Sequence, residues 1–218
     1  MKISEIEFGS FLTYSPYGKS DLELLSRTAR TNLKRDEYVN LGGKQHLMSD
    51  YLAGIIKHRL DVLPFVSFFN EHSVLIPAPS SSLLQSNSLW VPQRLANALV
   101  KVGLGKDVKS CLQRVTAVAK SSNSSPENRP KVIDHYSSIV VQKILDEPEE
   151  ILVIDDIVTR GSTLLGAINK LADAFPNAKI RGFAFMRTIT NSLEFKKIVN
   201  PCVGKITLRE DGWPLRRP

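Results

Sequence analysis

Two carboxylates stand side by side at Asp155 and Asp156, inside the stretch ILVIDDIVTRGST at 151–163. The apolar run before them reads as a buried strand, and helical spacing resumes near Thr163. In an open parallel sheet, ligands bind beyond the carboxyl ends of the strands. A helix N-terminus with free N–H groups and Ser or Thr hydroxyls is a ready phosphate site. Gly161 lets the backbone approach the anion closely. Two carboxylates beside that site would repel a bare phosphate. They suit a neutral polyol, or a magnesium ion that also touches phosphate. A ligand with hydroxyls at one end and a phosphate nearby is a sugar phosphate.

These residues need a strand and a helix to place them. TLLGAINKLADAF is amphipathic, with Leu164, Leu165, Ile168, Leu171, Ala172 and Phe175 on one face, and KIRGFAFMRT is the next buried strand. Strand, helix and strand over 151–187 make a parallel crossover unit. Upstream, SVLIPAP is a short strand closed by prolines, and VPQRLANALVKVGL is a helix with Pro92 in its first turn. SSIVVQ reads as a further strand. AKSSNSSPENRPK at 119–131 has loop composition and is long for a compact domain.

The first part of the chain is mixed. FLTYSPYG is a strand entering a turn, and SDLELLSRTARTNLKRD is a helix capped by Ser20 with Glu23 at the matching position. Leu22, Leu25 and Ala29 are expected on its buried face. Arg27, Arg30, Lys34 and Arg35 make a basic face, read as solvated, with nucleic acid as its other use. LGG breaks the pattern at 41–43, and KQHLMSDYLAGIIKHRLDVL reads as a second helix, with Leu47, Tyr51, Ile55 and Leu60 on one side.

The 218 residues fit one domain or a domain with an appendage, and 42% hydrophobic content is enough for an ordinary core. No apolar stretch is long enough to span a membrane, and MKISEIEFGS lacks a signal-peptide core. Cys111 and Cys202 lie far apart without metal-like spacing, as expected of cytoplasmic thiols. His46, His58, His72 and His135 are scattered, which argues against structural zinc. A net charge of +7 favours partners that carry phosphate.

The stretch 151–163 resembles the 5-phosphoribosyl diphosphate (PRPP) signature of type I phosphoribosyltransferases. That signature is an apolar strand, two acidic residues, two apolar positions, Thr, a variable residue, Gly, Ser and Thr. A narrower resemblance is to the ComF-like branch. VLIPAPSSS followed by PQRLANAL is similar to its VPVP…NQ…LA region, and LQRVTAVAKSSNSSPENRPKV is similar to its L-x-R-x-x-T…Q…R segment. The resemblance covers residues 73–187.

This resemblance implies an α/β type I phosphoribosyltransferase fold, with a mostly parallel central sheet flanked by helices. Residues 1–70 would form a small N-terminal cap or hood, and 71–218 the core, with a flexible lid at 119–131. Asp155 and Asp156 would contact the ribose hydroxyls, directly or through hydrated Mg2+. Thr159, Arg160, Gly161, Ser162 and Thr163 would wrap the 5-phosphate, and Pro77, Ala78, Pro79 and Ser80 would face the diphosphate. Lid cations Lys120, Arg129 and Lys131 would neutralise the departing diphosphate, so Asp155, Asp156, Arg129 and Lys120 are the expected catalytic set. No Lys or Arg lies between Pro79 and Arg94, which leaves diphosphate binding to backbone amides, serine hydroxyls and the lid.

The implied activity is transfer of the phosphoribosyl group of PRPP to a nitrogen acceptor with release of diphosphate. A second reading keeps the fold without turnover, as a PRPP- or nucleotide-sensing or partner-binding protein linked to DNA uptake or phage defence. A homodimer is compatible with either. Trp213, in the tail REDGWPLRRP, is expected either to stack on a base or to anchor the terminus, and Trp90 to pack.

Overall fold

The computed structural model describes residues 1–83, 88–119, 129–144 and 147–218. The chain runs β1 (Glu5–Tyr14), α1 (Asp21–Arg35), β2 (Tyr38–Leu41), β3 (Lys44–Leu47) and α2 (Met48–Arg59), then two short 3-10 turns. It continues with β4 (Val74–Pro77), α3 (Val91–Lys101), β5 (Asp107–Val108), β6 (Leu112–Arg114), α4 (Val132–Ser137) and β7 (Ile139–Val141). The remainder is β8 (Glu150–Val158), α5 (Ser162–Ala174), β9 (Lys179–Thr188), β10 (Val199–Leu208) and β11 (Pro214–Arg217).

Seven strands form one sheet in the order β11-β10-β1-β9-β8-β4-β5. β1, β9, β8, β4 and β5 are mutually parallel, and β10 runs antiparallel to both β1 and β11. The central strands are apolar runs because both faces are covered. On one face lie α1, α2 and α3, packed over Leu75, Leu152, Phe183 and Phe185. On the other lie α4 and α5, over Ile76, Val153 and Ala184. The expected face of α5 is buried as read, and Gly166 lets α4 approach, since a Cβ there would lie 2.7 Å from His135 Cβ.

Three local expectations are corrected, and one further strand is given its partner. KQHL is a strand: β2 and β3 pair as a hairpin across Gly42 and Gly43, whose φ of 57° and 81° suit a two-residue turn. Helix α2 therefore begins only at Met48, and it buries Leu52, Ala53 and Ile56 rather than Tyr51 and Ile55. SSIVVQ contains a strand as read, and β7 pairs with β6 in a ribbon separate from the main sheet. In α1, Leu22 and Leu25 are exposed and Glu23, Ser26 and Leu33 are buried, although the capping box of Ser20 and Glu23 forms as read. The N-terminal 70 residues divide between the sheet, which takes β1, and the layer of α1 and α2.

Candidate functional site

The carboxyl ends of β1, β9, β8 and β4 open into a cleft of about 970 Å3. Its floor is β8, which runs past Asp155 and Asp156 to Val158. Each carboxylate is oriented by the next backbone amide. Asp156 N donates to Asp155 Oδ1 at 2.9 Å, and Ile157 N to Asp156 Oδ1 at 2.7 Å. Burial, then the adjacent Asp156 carboxylate, pushes Asp155 well above the usual carboxylate range.

The loop 159–163 follows and ends in α5. Gly161 is the N-cap, at φ 98°, and no side chain caps the helix. A Cβ at Gly161 would lie 2.5 Å from Ile206 Cδ1, so glycine is required by space as well as by backbone conformation. Uncapped N–H groups and the hydroxyl-bearing residues Ser162 and Thr163 stand together at the start of a thirteen-residue helix, an arrangement that suits an anion. The loop is clamped from below by the last strand. Arg216 Nε donates to Thr159 O at 2.8 Å, and Arg216 Nη2 donates to Thr188 O.

The proline strand delivers less than expected. Pro77, Ala78 and Pro79 are buried, Ala78 N still donates to Ile154 O at 2.7 Å, and of that quartet Pro79 and Ser80 line the cleft. The turn is fixed from two sides. Trp90 Nε1 donates to Ala78 O at 2.8 Å, and the buried Arg114 guanidinium donates to Ser80 O. Arg114 also reaches Ser138 Oγ and lies 3.3 Å from His135 Nδ1. Arg114 can only donate, so Nδ1 accepts and Nε2 carries the ring proton, without a partner among the described residues.

Cations also reach the cleft from a distant part of the chain. Helix α1 turns Arg27, Arg30 and Lys34 into the cleft, where the basic face was read as solvated. Lys34 Nζ lies 3.3 Å from Asp156 Oδ2. Arg27 donates to the carbonyls of Tyr17 at 2.9 Å and Gly18 at 2.8 Å. Among the described lining residues, five Lys or Arg side chains (Arg27, Arg30, Lys34, Arg129, Arg160) face two carboxylates. Sequence reasoning missed this because helical spacing identifies a face but not its neighbour.

Of the lid cations, Arg129 lines the cleft, and Lys120 lies outside the described residues. Lys131 is held by the C-terminal hairpin: Nζ donates to Asp211 O at 3.1 Å and sits 5.6 Å from the Trp213 ring centroid. Arg160 Cζ sits 5.2 Å from the same centroid, so Trp213 packs beside the phosphate loop. Among the described residues no group of three His, Cys, Asp or Glu could hold a metal. The two aspartates fit magnesium in another way. Their hard oxygens stand immediately before the loop 159–163 and are of the donor type that magnesium takes, through water where protein ligands are few.

Among the described residues, no helix is long and apolar enough to cross a membrane. No family model and no curated protein matches the chain. Among the solved structures that are similar, two illustrate the match, both at low score. One is a hypoxanthine phosphoribosyltransferase from Staphylococcus aureus, with 11% identity, a TM-score of 0.36, and 66% of this chain and 73% of that one covered. The other is an adenine phosphoribosyltransferase from Leishmania tarentolae, with 11% identity, a TM-score of 0.33, and 80% and 91% covered.

Proposed function

We propose that the protein transfers the phosphoribosyl group of PRPP to a nitrogen acceptor and releases diphosphate. One observation carries the reading: a single cleft joins an uncapped helix N-terminus, two adjacent carboxylates and a serine turn backed by a buried arginine. These three parts match the phosphate, the sugar hydroxyls and the diphosphate of one ligand. The ComF-like resemblance of the same segments is consistent with this.

In the reaction, the bond from ribose C1 to the diphosphate oxygen breaks, and diphosphate leaves with the electron pair. The acceptor nitrogen bonds to C1 and loses its proton to water. The loop 159–163 fixes the 5-phosphate, and Asp155 and Asp156 hold the ribose hydroxyls. Magnesium, which Asp155 and Asp156 would hold through water, supplies charge neutralisation on the diphosphate. Arg129, with Ser80 and the turn around it, takes up charge on the leaving group, where preorganised donors act most strongly. Closure over the cleft would shield the oxocarbenium-like transition state from water.

The sensing alternative draws on the ion pair of Lys34 with Asp156, which engages one carboxylate from within the protein. The test is a PRPP titration by calorimetry followed by a diphosphate-release assay with magnesium and a panel of nitrogen acceptors. Binding with release supports the transferase. Binding without release from any acceptor favours the sensor, and no binding rejects both.

A further inference from the structure

We infer that the acceptor half of the cleft is built for an anionic planar acceptor, a nitrogen heterocycle bearing a carboxylate, with Arg30 as its recognition residue. The inference rests on the phosphoribosyl-transfer reading above. It names the substrate class of that site.

The sheet order separates the two halves. β8, with the aspartates, has β4 and the Ser80 turn on one side and β9, then β1, on the other. A nucleophile displacing diphosphate approaches C1 from the side opposite the leaving group. With diphosphate over β4, the acceptor therefore lies over the ends of β9 and β1. Neighbouring strands are spaced at about 4.8 Å, so the end of β1 lies roughly 10 Å from β8, the span of a sugar carbon plus a small ring.

That wall is Tyr14, Tyr17, Thr190 and the basic row of α1. The row is used unevenly. Arg27 is engaged with backbone carbonyls and Lys34 with Asp156. Arg30 lies between them, its Cζ 5.4 Å from the Tyr14 ring centroid, with no carboxylate or hydrogen-bond partner among the described residues. A guanidinium stacked on an aromatic ring is planar and weakly hydrated, and its free edge suits a carboxylate in bidentate fashion. The carboxylates among the described lining residues are Asp155 and Asp156 at the end of β8, and on this wall Asp156 pairs with Lys34 and not with Arg30. An uncharged ring would leave Arg30 half-buried and unbalanced, whereas an anionic ring would satisfy it and stack beside Tyr14.

The test uses the full chain with ribose 5-phosphate present, which fills the sugar site without turnover. Two probe pairs are titrated by calorimetry: uracil-6-carboxylate against uracil, and pyridine-3-carboxylate against its carboxamide. In wild type the carboxylate of at least one pair should bind about tenfold or more tightly than its uncharged partner. Arg30→Met keeps the apolar packing on Tyr14 and should abolish that preference, while Arg30→Lys restores part of it. PRPP affinity should stay within about twofold in Arg30→Met. Equal binding within both pairs, or a preference that survives Arg30→Met, overturns the inference. So does a loss of diphosphate affinity in Arg30→Met equal to the loss of carboxylate affinity, which would place Arg30 on the leaving group. If wild type binds no PRPP at all, the transferase reading fails first and takes this inference with it.

Discussion

Asp155, Asp156 and Gly161 carry the site at the residue scale, and each makes a separate demand on the chain. Asp155 pays a burial cost beside a like charge, so removing both charges should leave stability equal or higher. The double variant Asp155→Asn with Asp156→Asn is expected to fold as wild type and lose PRPP binding, read by thermal unfolding and calorimetry. Unchanged PRPP affinity would show that these carboxylates do not hold the sugar. Gly161→Ala meets both a positive φ and the Ile206 side chain. It should cost about 2–4 kcal/mol in urea unfolding. The stabilisation given by added sulfate should disappear with it, because the loop can no longer present its amides to the anion.

Among the elements, the proposed reaction assigns the turn after β4 and helix α5 to different parts of one ligand, and the two can be separated experimentally. Of the elements that line the cleft, Arg114 bonds to the turn alone, through Ser80 O; its other partners, Ser138 and His135, belong to α4 and its end. Arg114→Met should therefore weaken inorganic diphosphate by about tenfold, the value of one hydrogen bond to a charged donor, and leave ribose 5-phosphate within about twofold. Equal loss of both ligands would mean that Arg114 supports the whole cleft. Arg129 lines the same cleft next to the segment 120–128. Arg129→Ala should lower turnover by about 10² to 10³ while PRPP affinity changes little, since charge builds on the diphosphate only as it leaves. Steady-state kinetics beside a PRPP titration checks this, and a variant with full turnover removes Arg129 from the reaction.

For the whole molecule, stability against pH reports the buried cluster between α4 and the ribbon of β6 and β7. Burial, then the Arg114 charge, depresses His135 to about 4, while Asp134 works weakly in the other direction. The unfolded chain protonates this ring near its ordinary 6.5, so between about 6.5 and 4 the unfolded state binds more protons. The stability contributed by neutral His135 is complete above that window and is lost as pH falls through it. The loss amounts to as much as about 3 kcal/mol. Asp155, pushed upward, contributes with the opposite sign as it gains a proton. The informative quantity is therefore the difference between wild type and His135→Gln. Urea midpoints measured from pH 7 to 4 should fall more steeply in wild type, and parallel curves would refute the assignment.

Residues 151–187 were legible because strand, loop and helix follow one another there, and each is specified by its own neighbours. The apolar run, Gly161 and the face of α5 are local consequences of period and backbone freedom. The capping box of Ser20 and Glu23 was legible for the same reason. The face of α1 was not. Leu22 and Leu25 are more apolar than Ser26 and Arg30, yet α1 turns its basic row to the cleft, because β1 and the aspartates of β8 wait on that side. The hairpin of β2 and β3 was hidden by residues that suit a helix as well as a strand, and only pairing across Gly42 and Gly43 decided it. The last thirty residues showed no pattern of their own. Their role, Arg216 under Thr159 and Trp213 beside Arg160, exists only once β10 and β11 close the sheet edge. Sequence alone determined the donors of the loop 159–163, since the groups it offers are backbone amides and adjacent side chains. The cleft cations of α1, Arg27, Arg30 and Lys34, come from a segment more than a hundred residues away, and only the tertiary fold brings them there.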